Sequence, residues 1–163
     1  QVINMSLGTS ANIQSFHDAV IAAKGAGVVV VAAAGNSGGS VIFPAAYPEA
    51  IAASATDKNN VIASWSSRGP EVDLVAPGVS IYSTYKGTGY ATLSGTSMAS
   101  PHVAGSVALV LNTPVGSYDA NANGKWDPGE VQTKLQATAT DLGDAGFDIL
   151  YGWGLVNAYS ATQ

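Results

Sequence analysis

The segment VVVVAAA at residues 28–34 is the densest apolar stretch of the chain, and it decides the fold class. Its four consecutive β-branched residues do not alternate with polar ones, as they would in a strand with one solvated face. A strand of this kind is predicted to be covered on both faces, which is typical of a parallel sheet with helices on either side. The segment is far too short to cross a membrane.

The residues before this segment complete a unit of strand, helix and strand. Residues 2–8 (VINMSLG) read as a short buried strand, and residues 11–27 repeat apolar side chains at close to the helical period. Strand, helix and strand over this length form a βαβ unit with a right-handed crossover, so we expect an α/β fold with a mostly parallel sheet. Further strands are predicted at 50–55 and 61–65, with a hairpin at 81–85 and 90–93.

The segment LSGTSMASPHVAG at residues 93–105 places a serine at the start of a helix. A glycine turn leads into Ser97, and the apolar run that follows ends near Leu111. The first N–H groups of a helix have no intrahelical partner, and the dipole there favours negative charge. A serine at such a position is an N-cap, a nucleophile, or both, and capping is the common case.

The same segment resembles, over eleven positions, the nucleophile motif of the subtilisin-like serine proteases, the subtilases. The resemblance implies that Ser97 is the nucleophile of a peptide hydrolase. Residues 32–36 (AAAGN) are similar to the oxyanion segment of that family, in which the side-chain amide of the asparagine, here Asn36, faces the developing oxyanion. Residues 151–158 resemble the closing motif of the family, which is structural.

The resemblance covers nearly all of the chain apart from residues 119–130. It implies that residues 1–163 are the carboxyl-terminal portion of a single subtilase catalytic domain. The expected architecture is a three-layer subtilisin-like fold, with a mostly parallel sheet flanked by helices and without its N-terminal portion.

The resemblance also implies a set of residues that contact the substrate: Ser6, Leu7, Gly8, Ala33, Ala34, Gly35, Ile42 and Leu93. In the family, a small residue before an aromatic–proline pair floors the primary specificity pocket. Here that pair is Phe43-Pro44, for which a cis peptide bond is expected, and Ile42 takes the place of the small residue. A branched side chain there predicts a shallow pocket that favours Ala or Leu over Phe and Tyr before the scissile bond.

Residues 119–130 (DANANGKWDPGE) fit the calcium-loop pattern D-x-[DN]-x-[DN]-G-x5-E at every specified position. The pattern predicts a Ca²⁺ site, because hard oxygen ligands suit this cation. The alternative is a polar surface turn in which Glu130 serves the N-terminus of a helix predicted at 131–139. Pro114 and Gly116 prevent a regular helix from entering the loop, so a paired EF-hand is not implied. The candidate ligands are Asp119, Asn121, Asn123, Asp127, Glu130 and the carbonyl of Lys125.

A second, weaker cation site is implied by the family resemblance alone. Its ligands would be the backbone carbonyls of Ala45, Tyr47 and Ala50.

Length and composition limit the classes of protein to which the chain can belong. Its 163 residues suit one domain with a substantial core, and an apolar fraction of 47% argues against disorder. The net charge of −5 provides no basic surface, so nucleic acid is not an expected partner. No apolar run has the length of a membrane span, so no membrane partner is expected either. Cysteine is absent, which excludes disulfides and thiol chemistry.

Neither histidine of the chain fits the general base that a serine protease of this type needs. His102 follows Ser97 by five residues on the same predicted helix, about 140° around and about 7.5 Å along, so its ring cannot reach the hydroxyl. His17 falls in the predicted helix at 11–27, outside any motif, and is expected at the surface. In the family, the aspartate and the histidine both precede the segment that resembles residues 2–8.

Two accounts of the function remain open from the sequence. In the first, the chain is one part of a nicked or processed endopeptidase, and a separate N-terminal chain or segment carries the Asp and His. In the second, it is a non-catalytic subtilase-like module that binds peptides or calcium. The retained Ser97 and Asn36 favour the first account. The chain alone is then expected to be inactive and poorly folded. The resemblance further implies polypeptide substrates, a propeptide partner and an extracellular location.

Overall fold

The computed structural model describes all of residues 1–163, and four parallel strands form its main sheet. Strands adjacent in sequence are adjacent in the sheet. Every residue of the second and third strands is buried, as the lack of alternation in residues 28–34 predicts. The predicted α/β class with a parallel sheet is therefore confirmed. The strands are β1 (Val2–Met5), β2 (Val29–Ala33), β3 (Ala50–Thr56) and β4 (Leu74–Pro77).

Helices cover both faces of this sheet. Successive residues of a strand point to opposite faces, and β2 accordingly contributes Val30 to one hydrophobic core and Val31 to another. Val20 packs in the core with Val30, whereas Val107 packs in the core with Val31. The sheet is thus the middle of three layers. The helices are α1 (Gln14–Gly25), which contains Val20, α2 (Thr96–Val110), which contains Val107, α3 (Pro128–Ala137) and α4 (Ala158–Ala161).

The predicted hairpin is confirmed, and the predicted strand at 61–65 is wrong. β5 (Ile81–Thr84) and β6 (Tyr90–Leu93) pair in antiparallel fashion and form a separate two-stranded sheet. Residues 61–65 make only one isolated bridge, between Thr56 and Ile62. The chain turns away directly afterwards, because the N–H of Ser66 donates to the carbonyl of Ala63.

The turn before α2 is fixed at the carboxyl end of β4. The N–H of Gly95 donates to the carbonyl of Gly78 at 2.8 Å. A Cβ atom at Gly78 would lie 2.9 Å from the Gly95 oxygen and 2.5 Å from the Cβ of Ala55, so only glycine allows this close approach. The first turn of α2 is therefore held at the edge of the sheet where β1, β2 and β4 end, which is where sites of open α/β sheets lie.

No helix of the chain combines the length and the apolar character that a membrane span requires.

Candidate active site

Ser97 is the second residue of α2, and its hydroxyl does not cap the helix. Gly95 takes the N-cap position and has no side chain with which to cap the first turn. Ser97 is half-buried, and its Oγ donates one long hydrogen bond, of 3.4 Å, to the backbone carbonyl of Ser6. The helix start is confirmed, and the hydroxyl is not used by the helix.

Asn36 follows β2 and is oriented by Thr96, a residue that the sequence did not single out. The Thr96 N–H and hydroxyl both donate to Asn36 Oδ1, at 2.8 and 3.0 Å. The Thr96 hydroxyl in turn accepts from the N–H of Gly35 at 3.1 Å. Because the amide oxygen of Asn36 is held in this way, its Nδ2 group is left without a partner in the chain. Only the position of Thr96 beside Ser97 in the motif could have indicated this role.

Two N–H donors flank one point beside the nucleophile. A Cβ atom at Gly95 would lie 3.6 Å from Asn36 Nδ2 and 3.6 Å from the backbone nitrogen of Ser97. Neither N–H group has a hydrogen-bond acceptor within the chain. Two unpartnered N–H groups near the same point beside a serine are donors of the kind that stabilises an oxyanion.

Both histidines are engaged away from the Ser97 hydroxyl. His102 is exposed, and its Nδ1 lies 2.8 Å from the carbonyl of Met98 within α2. His17 lies in α1 as predicted, but it is half-buried and not simply on the surface. Its ring stacks on Tyr47 at 4.0 Å, and its Nε2 lies 2.8 Å from Glu49. The structure gives Ser97 no imidazole partner among these 163 residues.

Ile42 lies between the two segments that the resemblance associates with the substrate. A Cβ atom at Gly8 would lie 2.6 Å from Ile42 Cδ1, and one at Gly35 would lie 3.2 Å from Ile42 Cγ1. Gly35 has a φ of 116°, which further restricts this position to glycine. Leu7 and Leu93 are both exposed, and the Phe43–Pro44 peptide bond is cis as expected.

The acidic loop at 119–130 is closed by hydrogen bonds among its own residues. Asp119 accepts from the N–H groups of Asn123 and Gly124, and the Nδ2 groups of Asn121 and Asn123 donate to Asp127 Oδ2. All of the candidate ligands therefore lie in one compact turn. The Lys125 N–H donates to Asn123 Oδ1 at 2.7 Å.

Glu130 serves the start of α3, as the surface-turn alternative requires. Its two carboxylate oxygens accept from the N–H groups of Ala120 and Asp127, and with Asp127 it forms a capping box. No group of three or more His, Cys, Asp or Glu side chains is arranged to hold a metal ion. The oxygen ligands of the loop are still of the chemical kind that Ca²⁺ prefers.

The three residues of the weaker cation site line one cavity of about 330 Å³. Glu71 and Asp73 lie in the same cavity wall, and the sequence did not indicate them. Desolvation by burial raises the pKa of Asp73 above its ordinary value, against hydrogen bonds from Ala52, Gln132 and Gln136 that lower it. The residues predicted for that cation site are Ala45, Tyr47 and Ala50.

Comparisons with known proteins show which proteins the chain resembles. A family model described as the subtilase family matches residues 1–154. The chain is 48% identical to subtilisin Savinase of Lederbergia lenta and 48% identical to an alkaline protease of Alkalihalobacillus alcalophilus. It is 47% identical to alkaline elastase YaB of a Bacillus species. Each match covers 99% of this chain, but 56%, 40% and 40% of the respective relatives, so the chain spans about half the length of the curated relatives it matches.

Proposed function

The chain belongs to the subtilase family, and on that basis we propose that it is the nucleophile-bearing part of a serine endopeptidase. Ser97 would attack the substrate carbonyl, and Asn36 Nδ2 with the Ser97 N–H would stabilise the oxyanion. The observation that carries this proposal is the pair of unpartnered donors, each 3.6 Å from the same point beside Ser97.

The general base and its aspartate come from a separate N-terminal chain or segment of the same protease. The contacts of His102 and His17 away from Ser97 support this proposal, and the family resemblance implies the N-terminal location. The incoming histidine accepts the Ser97 proton during attack and returns it to the leaving amine. Without that partner the oxyanion donors and the substrate contacts remain, but the Ser97 hydroxyl bonds only to the Ser6 carbonyl, which is too weak a base to take its proton. The isolated chain should therefore be inactive.

Polypeptides are the proposed substrates. Residues 6–8 and 33–35 would flank the substrate residue before the scissile bond, with Leu93 beside them; Ala33 and Ala34 are themselves buried, so they would form the wall behind it. Ile42 lies against both segments, so it reduces the space for a side chain there. We propose that small or medium apolar residues are preferred at that position.

Ca²⁺ is the proposed ligand of the loop at 119–130, where it would stabilise the fold. The loop residues supply carboxylate, amide and carbonyl oxygens within one turn, which suits a hard cation. The same loop leads into α3 through the capping box of Asp127 and Glu130. An ion held there would fix the entry to that helix. A second cation at the carbonyls of Ala45, Tyr47 and Ala50 is proposed on the family resemblance and on their shared cavity.

The family resemblance extends the proposal to the setting of the enzyme. A protease of this kind is expected outside the cell, with a propeptide as a further partner. The competing account, a non-catalytic module that binds peptides or calcium, has no use for two aligned oxyanion donors beside a serine. That geometry favours the endopeptidase.

A serine-directed fluorophosphonate probe tests the assignment in the complete protein that contains this chain. The probe should label the parent at Ser97, and Ser97→Ala should abolish both labelling and peptide hydrolysis. Ser106→Ala is the matched control, because Ser106 lies on the same helix and only donates to the carbonyl of His102. Unchanged hydrolysis by Ser97→Ala would overturn the proposal. Intact-mass analysis of the active material should reveal a second polypeptide or a longer chain.

A further inference from the structure

Pro101 frees the backbone carbonyl of the nucleophile. It lies inside α2, four residues after Ser97, where another residue would donate its N–H to the Ser97 carbonyl. Proline has no N–H, so this carbonyl lacks its intrahelical partner. Ser6, just beyond β1, donates its hydroxyl to the carbonyl instead, at 2.8 Å. The residue that carries the nucleophile is therefore bonded to the end of a strand.

Asn4 connects this bond to a second point on the same helix. Its Nδ2 donates to Ser6 Oγ at 3.0 Å, and its Oδ1 accepts from Ser100 Oγ at 2.5 Å. Ser100 is fully buried, and it lies one helical turn after Ser97. Asn4 itself is held in β1, in register with Val31 of β2. The bonds form a closed circuit from α2 through Ser6 and Asn4 and back to α2.

We propose that Asn4 is a positioning residue for the nucleophile. With Ser6 and Ser100 it forms a clamp, the Asn4 clamp, that fixes the first turn of α2 against the end of β1. The inference rests on the proposed function, since the clamp matters only if Ser97 reacts. It assigns a task to residues 4 and 100, which are outside the proposed substrate set and bond to neither oxyanion donor; Asn4 touches the substrate segments only through Ser6.

The side-chain amide of Asn4 sets the direction of the hydrogen bonds in the Asn4 clamp. Because Asn4 Nδ2 donates to Ser6 Oγ, the hydroxyl proton of Ser6 is left for the Ser97 carbonyl. Asn4 is exposed, so water could satisfy its amide, and burial alone does not explain these bonds. Any shift of this turn moves the Ser97 hydroxyl and N–H together relative to Asn36. A displacement of about 1 Å can cost roughly a hundredfold in rate.

Asn4→Asp is the sharpest test, because it keeps the shape and reverses the polarity. A carboxylate can still accept from Ser100, but it cannot donate to Ser6, and it draws the Ser6 proton away from the Ser97 carbonyl. In the complete protease, kcat per titrated active site should fall by about ten- to hundredfold, with KM little changed. Asn4→Ala adds no charge, so a similar fall in that variant separates loss of the clamp from the field of a new carboxylate.

Two further variants separate positioning from simple hydrogen-bond satisfaction. Ser106→Ala, outside the Asn4 clamp, should retain the parent kcat. Pro101→Ala returns an N–H donor to the Ser97 carbonyl. Ser6→Ala alone removes the bond from the end of β1 to the Ser97 carbonyl, so it should lower both the melting temperature and kcat. When Pro101→Ala is added to it, the melting temperature should be restored but kcat should not, because the bond to β1 is still missing.

The outcomes distinguish a failure of the Asn4 clamp from a failure of the proposed function. If Asn4→Asp and Asn4→Ala turn over like the parent, the inference is overturned, and it is also overturned if Pro101→Ala restores kcat in the Ser6→Ala background. If the parent does not react with the fluorophosphonate probe, the proposed function fails instead. A fall in kcat with parent-like probe stoichiometry supports the Asn4 clamp.

Discussion

The first turn of α2 and the acidic loop at 119–130 are both rich in polar groups, but they are held in opposite ways. At the helix, hydrogen bonds join residues that are distant in sequence: Thr96 bonds to Asn36 across 60 positions, and Ser6 bonds to Ser97 across 91. In the loop, the bonds join residues no more than thirteen positions apart. The fold itself assembles the first region, whereas the second is a local turn.

This difference predicts that the two regions respond to different measurements. Groups that converge from separate strands are already arranged before any substrate binds, so changing one should alter the rate of the chemical step. Carboxylate and amide oxygens in a local turn are ligands that a hard cation prefers, so the turn should gain stability from a bound cation. Changing one of those should alter stability and leave the chemistry intact.

The largest expected effect is that of Asn36→Ala. In the complete protease, this variant removes one of the two donors at the oxyanion, so kcat should fall by roughly 10²–10³ while KM changes little. Steady-state kinetics on a peptide substrate measures both constants. The variant also leaves the N–H and the hydroxyl of the buried Thr96 without their acceptor, so the melting temperature should fall as well, and kcat is compared per titrated active site at a temperature where both proteins are folded. A variant as active as the parent would remove Asn36 from the oxyanion site.

The sequence was enough to select candidate residues in both regions, but not to predict the hydrogen bonds that join them to the rest of the fold. The unbroken apolar run of β2 was enough for the parallel sheet, and the local motifs were enough to select Ser97, Asn36 and the loop. Thr96 and Asn4 escaped notice because their roles depend on bonds across 60 or more positions, which no local pattern encodes. The strand predicted at 61–65 failed because a local turn, closed by the bond from the Ser66 N–H to the Ala63 carbonyl, ends the pairing after a single bridge.

Calcium removal should have the next largest effect, and it should act on stability. A ligand that binds only the native state stabilises it by about 2.7 kcal/mol at a hundredfold excess over its dissociation constant. Chelation should therefore lower the melting temperature of the complete protease, and Glu130→Gln should abolish most of that response. Thermal unfolding with calcium and with chelator checks this, and kcat at a temperature where all variants are folded should stay the same.

The difference in melting temperature between calcium and chelator separates the effect of the ion from that of the helix cap. Glu130 also accepts from the N–H groups of Ala120 and Asp127, so Glu130→Gln weakens the cap whether or not calcium is present. Asp144→Asn is the matched control, since Asp144 is an exposed carboxylate in the other acidic loop, at 141–148. It should keep the full calcium response. A parent indifferent to chelator would exclude the site.

The smallest expected effect concerns Ile42, whose apolar side chain fills the space between Gly8 and Gly35. Gly8 and Gly35 both approach the Ile42 side chain so closely that neither could carry a Cβ atom without displacing it. Replacing Ile42 by glycine should open that space to larger substrate side chains. Hydrophobic pockets discriminate by about 1–3 kcal/mol for each methylene, so we expect a change of preference and not a new strict rule.

Rates on peptides that differ only in the residue before the scissile bond measure this preference. The parent should prefer Ala or Leu, Ile42→Gly should shift the preference toward Phe and Tyr, and Ile42→Val should lie between them. If the parent cleaves Phe and Tyr peptides fastest and Ile42→Gly changes nothing, Ile42 does not limit the pocket, and the substrate side chain must lie elsewhere than between residues 8 and 35.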